Sequence, residues 1–298
     1  MKLKTILTAT TLAFAVNISG ANAQRDFSKV EIKTIEVTDG IYMLTGAGGN
    51  IGLSVGEDGA FIIDDQFAPL SEKILAAIDA VSETSVSFVV NTHWHGDHTG
   101  GNEALSSKGA HIVAHENVRA RLKQGLKTET RNTPPAAPGA LPVITFSDVV
   151  NFYWNDRHIH VFHPAPAHTD GDAFVFFKNA NVLHMGDVFF NGGYPFIDLA
   201  SGGDLDGAIA AQEQALAMVD DDTKIIPGHG ALATKADLQA TVDMLKEVRS
   251  RVSALIAEGK SEDEIVAADP LKDLNGTWGN GFISGERIAR TAFQSLSK

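Results

Sequence analysis

The sequence predicts an α/β fold in which two β-sheets pack face to face and helices cover their outer faces. Three observations predict it. Short apolar and β-branched runs separated by turn dipeptides open the chain, a helical pattern follows them, and the same order of meander and helix returns in the second half. No repeat of residues accompanies this repeat of pattern.

In chain order, residues 30–37, 41–45, 51–55 and 61–63 read as an antiparallel meander, with Asp39-Gly40 and Asp58-Gly59 as turns. Apolar residues at Ile74, Leu75, Ile78 and Val81 predict a helix over 70–81, with Ser71 near its start. Residues 86–92 form an apolar run, read as a buried strand. Gly100-Gly101-Asn102 permits a tight path into a short helix, and 111–114 and 116–124 read as strand and helix. Pro134, Pro135, Pro138 and Pro142 exclude a helix or a central strand from residues 128–142, which are expected to be a loop within the domain. The second half predicts strands at 143–146, 149–153, 159–162, 173–177 and 182–185, a helix over 205–219, a strand at 224–226, and helices over 235–257 and 284–295.

Residues 1–23 look like an address. Lys2 and Lys4 precede an apolar run, and Ala21-Asn22-Ala23 offers a small-x-small cleavage pattern, so a periplasmic or secreted protein with one domain over 24–298 is expected. That run is short for a membrane span, and no other long apolar stretch occurs, so none is expected in the mature chain. A 44% hydrophobic composition supports a sizeable core. The formal charge of -13 argues against nucleic acid or an anionic membrane as partner, leaves a small-molecule substrate, and names no partner protein. Zero cysteines excludes disulfides, thiolate ligands and a cysteine nucleophile together.

The chemistry concentrates in His93-Trp94-His95-Gly96-Asp97-His98, directly after the strand at 86–92. A strand ending in a turn points His93 and His95 to one side, while the turn swings Asp97 and His98 to another, which supplies ligands for two ions. Imidazole and carboxylate favour borderline ions, above all zinc. Three further ligand types follow later strands: His168 after Pro164-Ala165-Pro166, Asp187 in His184-Met185-Gly186-Asp187, and His229 between the glycines of Pro227-Gly228-His229-Gly230.

These residues resemble the metallo-β-lactamase superfamily of binuclear metallohydrolases, whose mark is His-x-His-x-Asp-His followed by His, Asp and His after successive strands. The resemblance spans nearly all of the chain after residue 23 and implies an αββα sandwich of two mixed sheets, with the metal pair at one edge. It also implies that His93, His95 and His168 bind one zinc, that Asp97, His98 and His229 bind the second, and that Asp187 bridges them. Asp64 resembles the family's acidic residue that supports the ligands from behind, with Asp65 the competing position. Two cations about 3.5 to 4 Å apart bring a shared water from a pKa of about 15.7 towards neutrality. A bridging hydroxide then removes the need for a serine or cysteine nucleophile, with Asp97 holding both an ion and the attacking oxygen.

The expected activity is opening of a cyclic amide or ester, with β-lactam hydrolysis first and a lactonase, esterase or thioesterase as alternatives. The ligand set is closest to that of glyoxalase-type thioesterases and lactonases. Phe190 stands where cysteine-type β-lactamases carry a lysine for the antibiotic carboxylate, and Ser201-Gly202-Gly203-Asp204 looks like a substrate-bordering loop. Iron-dependent oxidation and metal binding without turnover are the readings from other classes; the flavodiiron branch would place a carboxylate where His95 stands. His158 and His160 share one strand face and read as surface or core residues, as do His111, His115, His163 and His184. Trp94 lines the site or packs, and Tyr194 is a phenol donor or a packed aromatic.

Overall fold

The structure, a computed structural model, describes residues 26–129 and 131–298. The export segment expected over residues 1–23 lies outside them. In chain order the elements are β1 (Lys33–Thr38), β2 (Ile41–Thr45), β3 (Ile51–Ser54), β4 (Ala60–Ile63), α1 (Ser71–Asp79), β5 (Val86–Asn91), α2 (Gly96–Thr99), α3 (Asn102–Ser107), β6 (His111–His115), α4 (Glu116–Gln124), β7 (Leu126–Lys127), β8 (Asn132–Thr133), β9 (Ile144–Phe146) and β10 (Val149–Trp154). They continue with β11 (Arg157–Phe162), β12 (Phe174–Phe177), β13 (Val182–His184), α5 (Leu205–Met218), β14 (Lys224–Ile226), α6 (Lys235–Ala257), α7 (Glu262–Ala268), α8 (Asn275–Trp278) and α9 (Gly285–Leu296).

Both large sheets are mixed. The first runs β1-β2-β3-β4-β5-β6-β9, antiparallel through β4 and parallel from there. The second runs β10-β11-β12-β13-β14, with its one parallel pair at β13 and β14. Their inner faces meet in one apolar layer: Phe61, Ile63 and Val90 from the first sheet against Val161, Phe177 and Ile226 from the second. Side chains alternate across a strand, so Ala60, Ile62 and Val89 face the other way and pack on Ile74 and Ile78 of α1. Both faces of β4 are therefore covered, which is why the run reads as continuously apolar. Leu183 and Ile225 likewise pack outward against Leu205 of α5, Leu245 of α6 and Ile288 of α9. This is the expected sandwich with helices outside.

The loop expected over 128–142 is partly ordered structure. β7 pairs with β8 as a two-stranded hairpin, and residues 138–140 make one 3-10 turn that starts at Pro138. Two-residue strands carry no alternation to read, which is why the hairpin escapes sequence-based reading. The short α7, whose Ser261 and Glu264 form a reciprocal cap, was likewise not expected.

Candidate metal centre

Parallel pairing brings the C-terminal ends of β4 and β5 to one edge of the first sheet, and those of β13 and β14 to one edge of the second. Asp64 follows β4, the His93–His98 turn follows β5, Asp187 follows β13 and His229 follows β14. Asn50 ties these ends together: its amide donates to the carbonyls of Pro227 and Gly230, and its backbone N–H donates to Gly228. His184 donates through Nε2 to the Asn50 carbonyl and accepts from Gly186 N–H through Nδ1, so it is structural, as expected.

All seven ligand-type residues converge. His93, His95, His168 and Asp187 form one group, and Asp97, His98 and His229 a second, with the potential ligand atoms of each group within 4.8 Å of one another. Asp187 lies between the groups. Its carboxylate is 3.0 Å from His98 Nε2, 3.4 Å from His229 Nε2, 3.7 Å from His168 Nε2 and 3.8 Å from His93 Nε2.

Outer partners fix which nitrogen His93, His95, His98 and His168 turn inward. Asp64 accepts from Thr92 N–H at 2.7 Å, from the Thr92 hydroxyl at 2.7 Å and from His98 Nδ1 at 2.7 Å. With its own hydrogen spent on Asp64, the Thr92 hydroxyl can only accept from His93 Nδ1, 3.0 Å away. One buried carboxylate thereby orients two ligands. Asp64 holds a left-handed φ of 63°, a strained conformation for a non-glycine residue that these three bonds hold in place. Asp65 is turned away and accepts from Gly101 N–H instead, which decides between the two acids. His168 Nδ1 donates to the Phe196 carbonyl at 2.6 Å, and His95 Nε2 bonds Asp198 at 2.8 Å.

The residues fit metal ions. In these tautomers His168 Nε2 and His95 Nδ1 both present lone pairs, yet they stand 2.9 Å apart. His93 Nε2, His98 Nε2 and Asp187 Oδ1 are buried without a hydrogen bond. Acceptors aimed at one another in a buried space repel unless a cation or a proton sits among them. Without metal, protons do this work at part of the site. Burial opposes charge on His98 and His229, but Asp187 and the neighbouring carboxylates outweigh it, raising His98 well above its ordinary value and His229 to about 9. Burial dominates at His93 and His168, lowering the first well below its ordinary value and the second to about 4. Asp97, facing His98 and His229, is lowered to about 2 despite its burial.

A cavity of about 620 Å³ opens beside these groups. Its walls include Phe67, Trp94, Phe190, Phe196 and Phe282, and glycines at 192, 193, 230 and 281 contribute surface without side chains. Trp94 both packs and lines: it is 2% exposed and donates from Nε1 to Ser201 Oγ. Phe190 stacks on His229, with ring centroids 4.9 Å apart. Tyr194 is 1% exposed and its hydroxyl donates to Asn275 Oδ1, so it takes the packed reading. Burial pushes this phenol up to about 12. His158 and His160 share Asn151, and His115 stacks on His163 away from the centre.

Two residues at the site were not expected from the sequence. Asp198 accepts at one oxygen from His95, Arg131 and Ser201, at 2.8, 2.6 and 2.7 Å. Arg131 reaches it from the turn between β7 and β8, and its guanidinium lies 4.8 Å over the Trp94 ring. An isolated acid in the run Pro195-Phe196-Ile197-Asp198 carries no ligand spacing, and only the chain path brings it 103 residues back to His95.

A two-sheet sandwich with a converging His/Asp set at one edge defines a metal-dependent hydrolase by class. The sequence profile described as "Metallo-beta-lactamase superfamily" matches residues 44–229, and the chain belongs to that superfamily. It is similar to the hydroxyacylglutathione hydrolase of Nitrosococcus oceani, 30% identical over 202 residues, covering 65% of this chain and 66% of that relative. It is also similar to a type 2 metallo-beta-lactamase of Pseudomonas aeruginosa, 27% identical over 128 residues, covering 43% of this chain and 46% of that enzyme. Among solved structures, DIM-1 metallo-beta-lactamase shares the fold at a TM-score of 0.61, with 20% identity, over 73% of this chain and 99% of that one.

Proposed function

We propose that the protein is an exported binuclear zinc hydrolase that opens small cyclic amides and esters, β-lactams first among them. His93, His95 and His168 would hold one ion, Asp97, His98 and His229 the second, with Asp187 between. Two ions so held would supply Lewis acidity and bring the pKa of a water at the site towards neutrality.

The observation that supports this reading is the convergence of five imidazoles and Asp97 around Asp187, in a largely buried space that opens into a cavity walled by aromatic side chains. Asp97 is partly exposed on the cavity side, held ionised by His98 and His229. It is placed to orient the attacking water and to accept its proton. Asp64 and Asp198 keep the imidazoles from turning away, and the aromatic walls exclude bulk water. A serine or cysteine nucleophile has no place in this scheme.

A second reading, thioester hydrolysis, is favoured by the carboxylate at Asp187 and by Phe190 at the position of a carboxylate-binding lysine. The test is hydrolysis by zinc-loaded protein of nitrocefin, an acyl-homoserine lactone and an acyl thioester side by side. Nitrocefin turnover abolished by Asp187→Ala supports the first reading, thioester turnover alone the second, and no turnover of any of them contradicts both.

A further inference from the structure

The superfamily profile ends at residue 229, yet the cavity does not. The segment joining α8 to α9 contributes Gly281 and Phe282 to its wall. Tyr194 anchors α8, from which that segment leads: its N–H donates to the Trp278 carbonyl and its hydroxyl to Asn275 Oδ1. Phe282 is a large apolar side chain left 73% exposed at the cavity mouth, 6.3 Å from Phe196.

Arg287, on the first turns of α9, lies 5.0 Å over the Phe196 ring and 5.0 Å over the Phe282 ring. Among the described residues its guanidinium has no hydrogen-bond or ion-pair partner. Among the described residues every other arginine donates to a carboxylate or a carbonyl: Arg119, Arg121, Arg131, Arg157, Arg249, Arg251 and Arg290. In a chain of net charge -13, carboxylates to pair with are plentiful. A guanidinium held against aromatic rings spends none of its N–H donors on them and keeps the fork that matches a carboxylate.

The distance to the chemistry is bounded. Phe196 also stacks on His95, with ring centroids 5.9 Å apart, so Arg287 lies within about 11 Å of that imidazole. We infer that Phe196, Phe282 and Arg287 form an anion subsite for the far end of the substrate, a carboxylate joined to the reacting acyl group through an apolar or aromatic spacer. Phe196 and Phe282, both in the cavity wall, would line the spacer, and Arg287 beside them would meet the carboxylate. The inference deepens the proposed hydrolysis and rests on it for the word substrate, but not for its test.

That test is equilibrium binding without turnover. Full-length zinc-loaded protein is titrated with fluorescent 2-naphthylacetate and with uncharged 2-naphthylacetamide, in the parent, Arg287→Ala and Arg287→Lys. The subsite predicts that Arg287→Ala weakens naphthylacetate about tenfold or more, the scale of a lost charge-assisted pair. It also predicts that the amide changes less than about twofold, and that Arg287→Lys recovers only part of the loss. Naphthylacetate binding that Arg287→Ala leaves unchanged, equal losses for both ligands, or no binding to the parent would each overturn it. A protein that hydrolyses nothing yet shows the predicted pattern would sink the hydrolase reading and leave the subsite standing.

Discussion

His98 Nε2 stands 3.0 Å from Asp187 Oδ1, while His98 Nδ1 is held by Asp64 at 2.7 Å. The inward nitrogen is thus the one position on this ring where a proton and a metal ion exclude each other.

Metal uptake should therefore expel protons. His229 titrates at about 9 in the metal-free site, and His98 is raised well above its ordinary value by Asp187 and Asp64 against its burial. Zinc binding measured by calorimetry between pH 6.5 and 9 should give heats that scale with the ionisation enthalpy of the buffer, and an apparent affinity that rises with pH. Heats independent of buffer would contradict this.

The same shifts set the stability of the chelated protein. His229 is raised from 6.5 to about 9, so its contribution is complete below pH 6.5 and disappears as pH climbs through about 9. His168 is lowered from 6.5 to about 4, so its contribution is present above 6.5 and disappears as pH falls through about 4. Metal-free protein should be most stable near pH 6.5 and lose Tm on both sides, whereas zinc-loaded protein should hold a flatter profile on the alkaline side. Thermal scans with and without chelator at pH 4, 6.5 and 9 check it.

Asp64→Asn should damage the centre without touching a ligand. An amide cannot accept from both Thr92 and His98 with the charge that now orients them, so metal affinity should drop about 10- to 100-fold. Asp65→Asn, which changes only a bond to Gly101, should shift affinity far less. Competition with a chromophoric chelator separates the two.

Gly49→Ala is expected to be as harmful as removing a ligand. A Cβ at Gly49 would collide with the His98 ring, which the sheet and Asp64 leave no room to move. Loss of about one metal equivalent with the secondary structure intact is the outcome to look for by elemental analysis and circular dichroism; two retained equivalents would show that His98 can shift.

Much of this was legible beforehand because periodicity and ligand spacing are local. The β4 and β5 runs, the helix over 235–257 and the His93–His98 cluster each announce themselves within a few positions, and His168, Asp187 and His229 each stand just past a strand that can be read locally. The choice between Asp64 and Asp65 did not, since adjacent residues of one turn differ only in the direction of their side chains. Asp198, Arg131 and Arg287 were invisible for another reason. Each acts across a gap of tens of residues, through a hairpin too short to show alternation or a helix whose apolar face faces elsewhere.

The seven inward residues should hold two ions. Stepwise zinc titration of the chelated full-length protein, read by elemental analysis after desalting, tests it most directly. Two equivalents are expected for the parent, and loss of both upon Asp187→Ala. One equivalent at saturation, or two that survive Asp187→Ala, would contradict it.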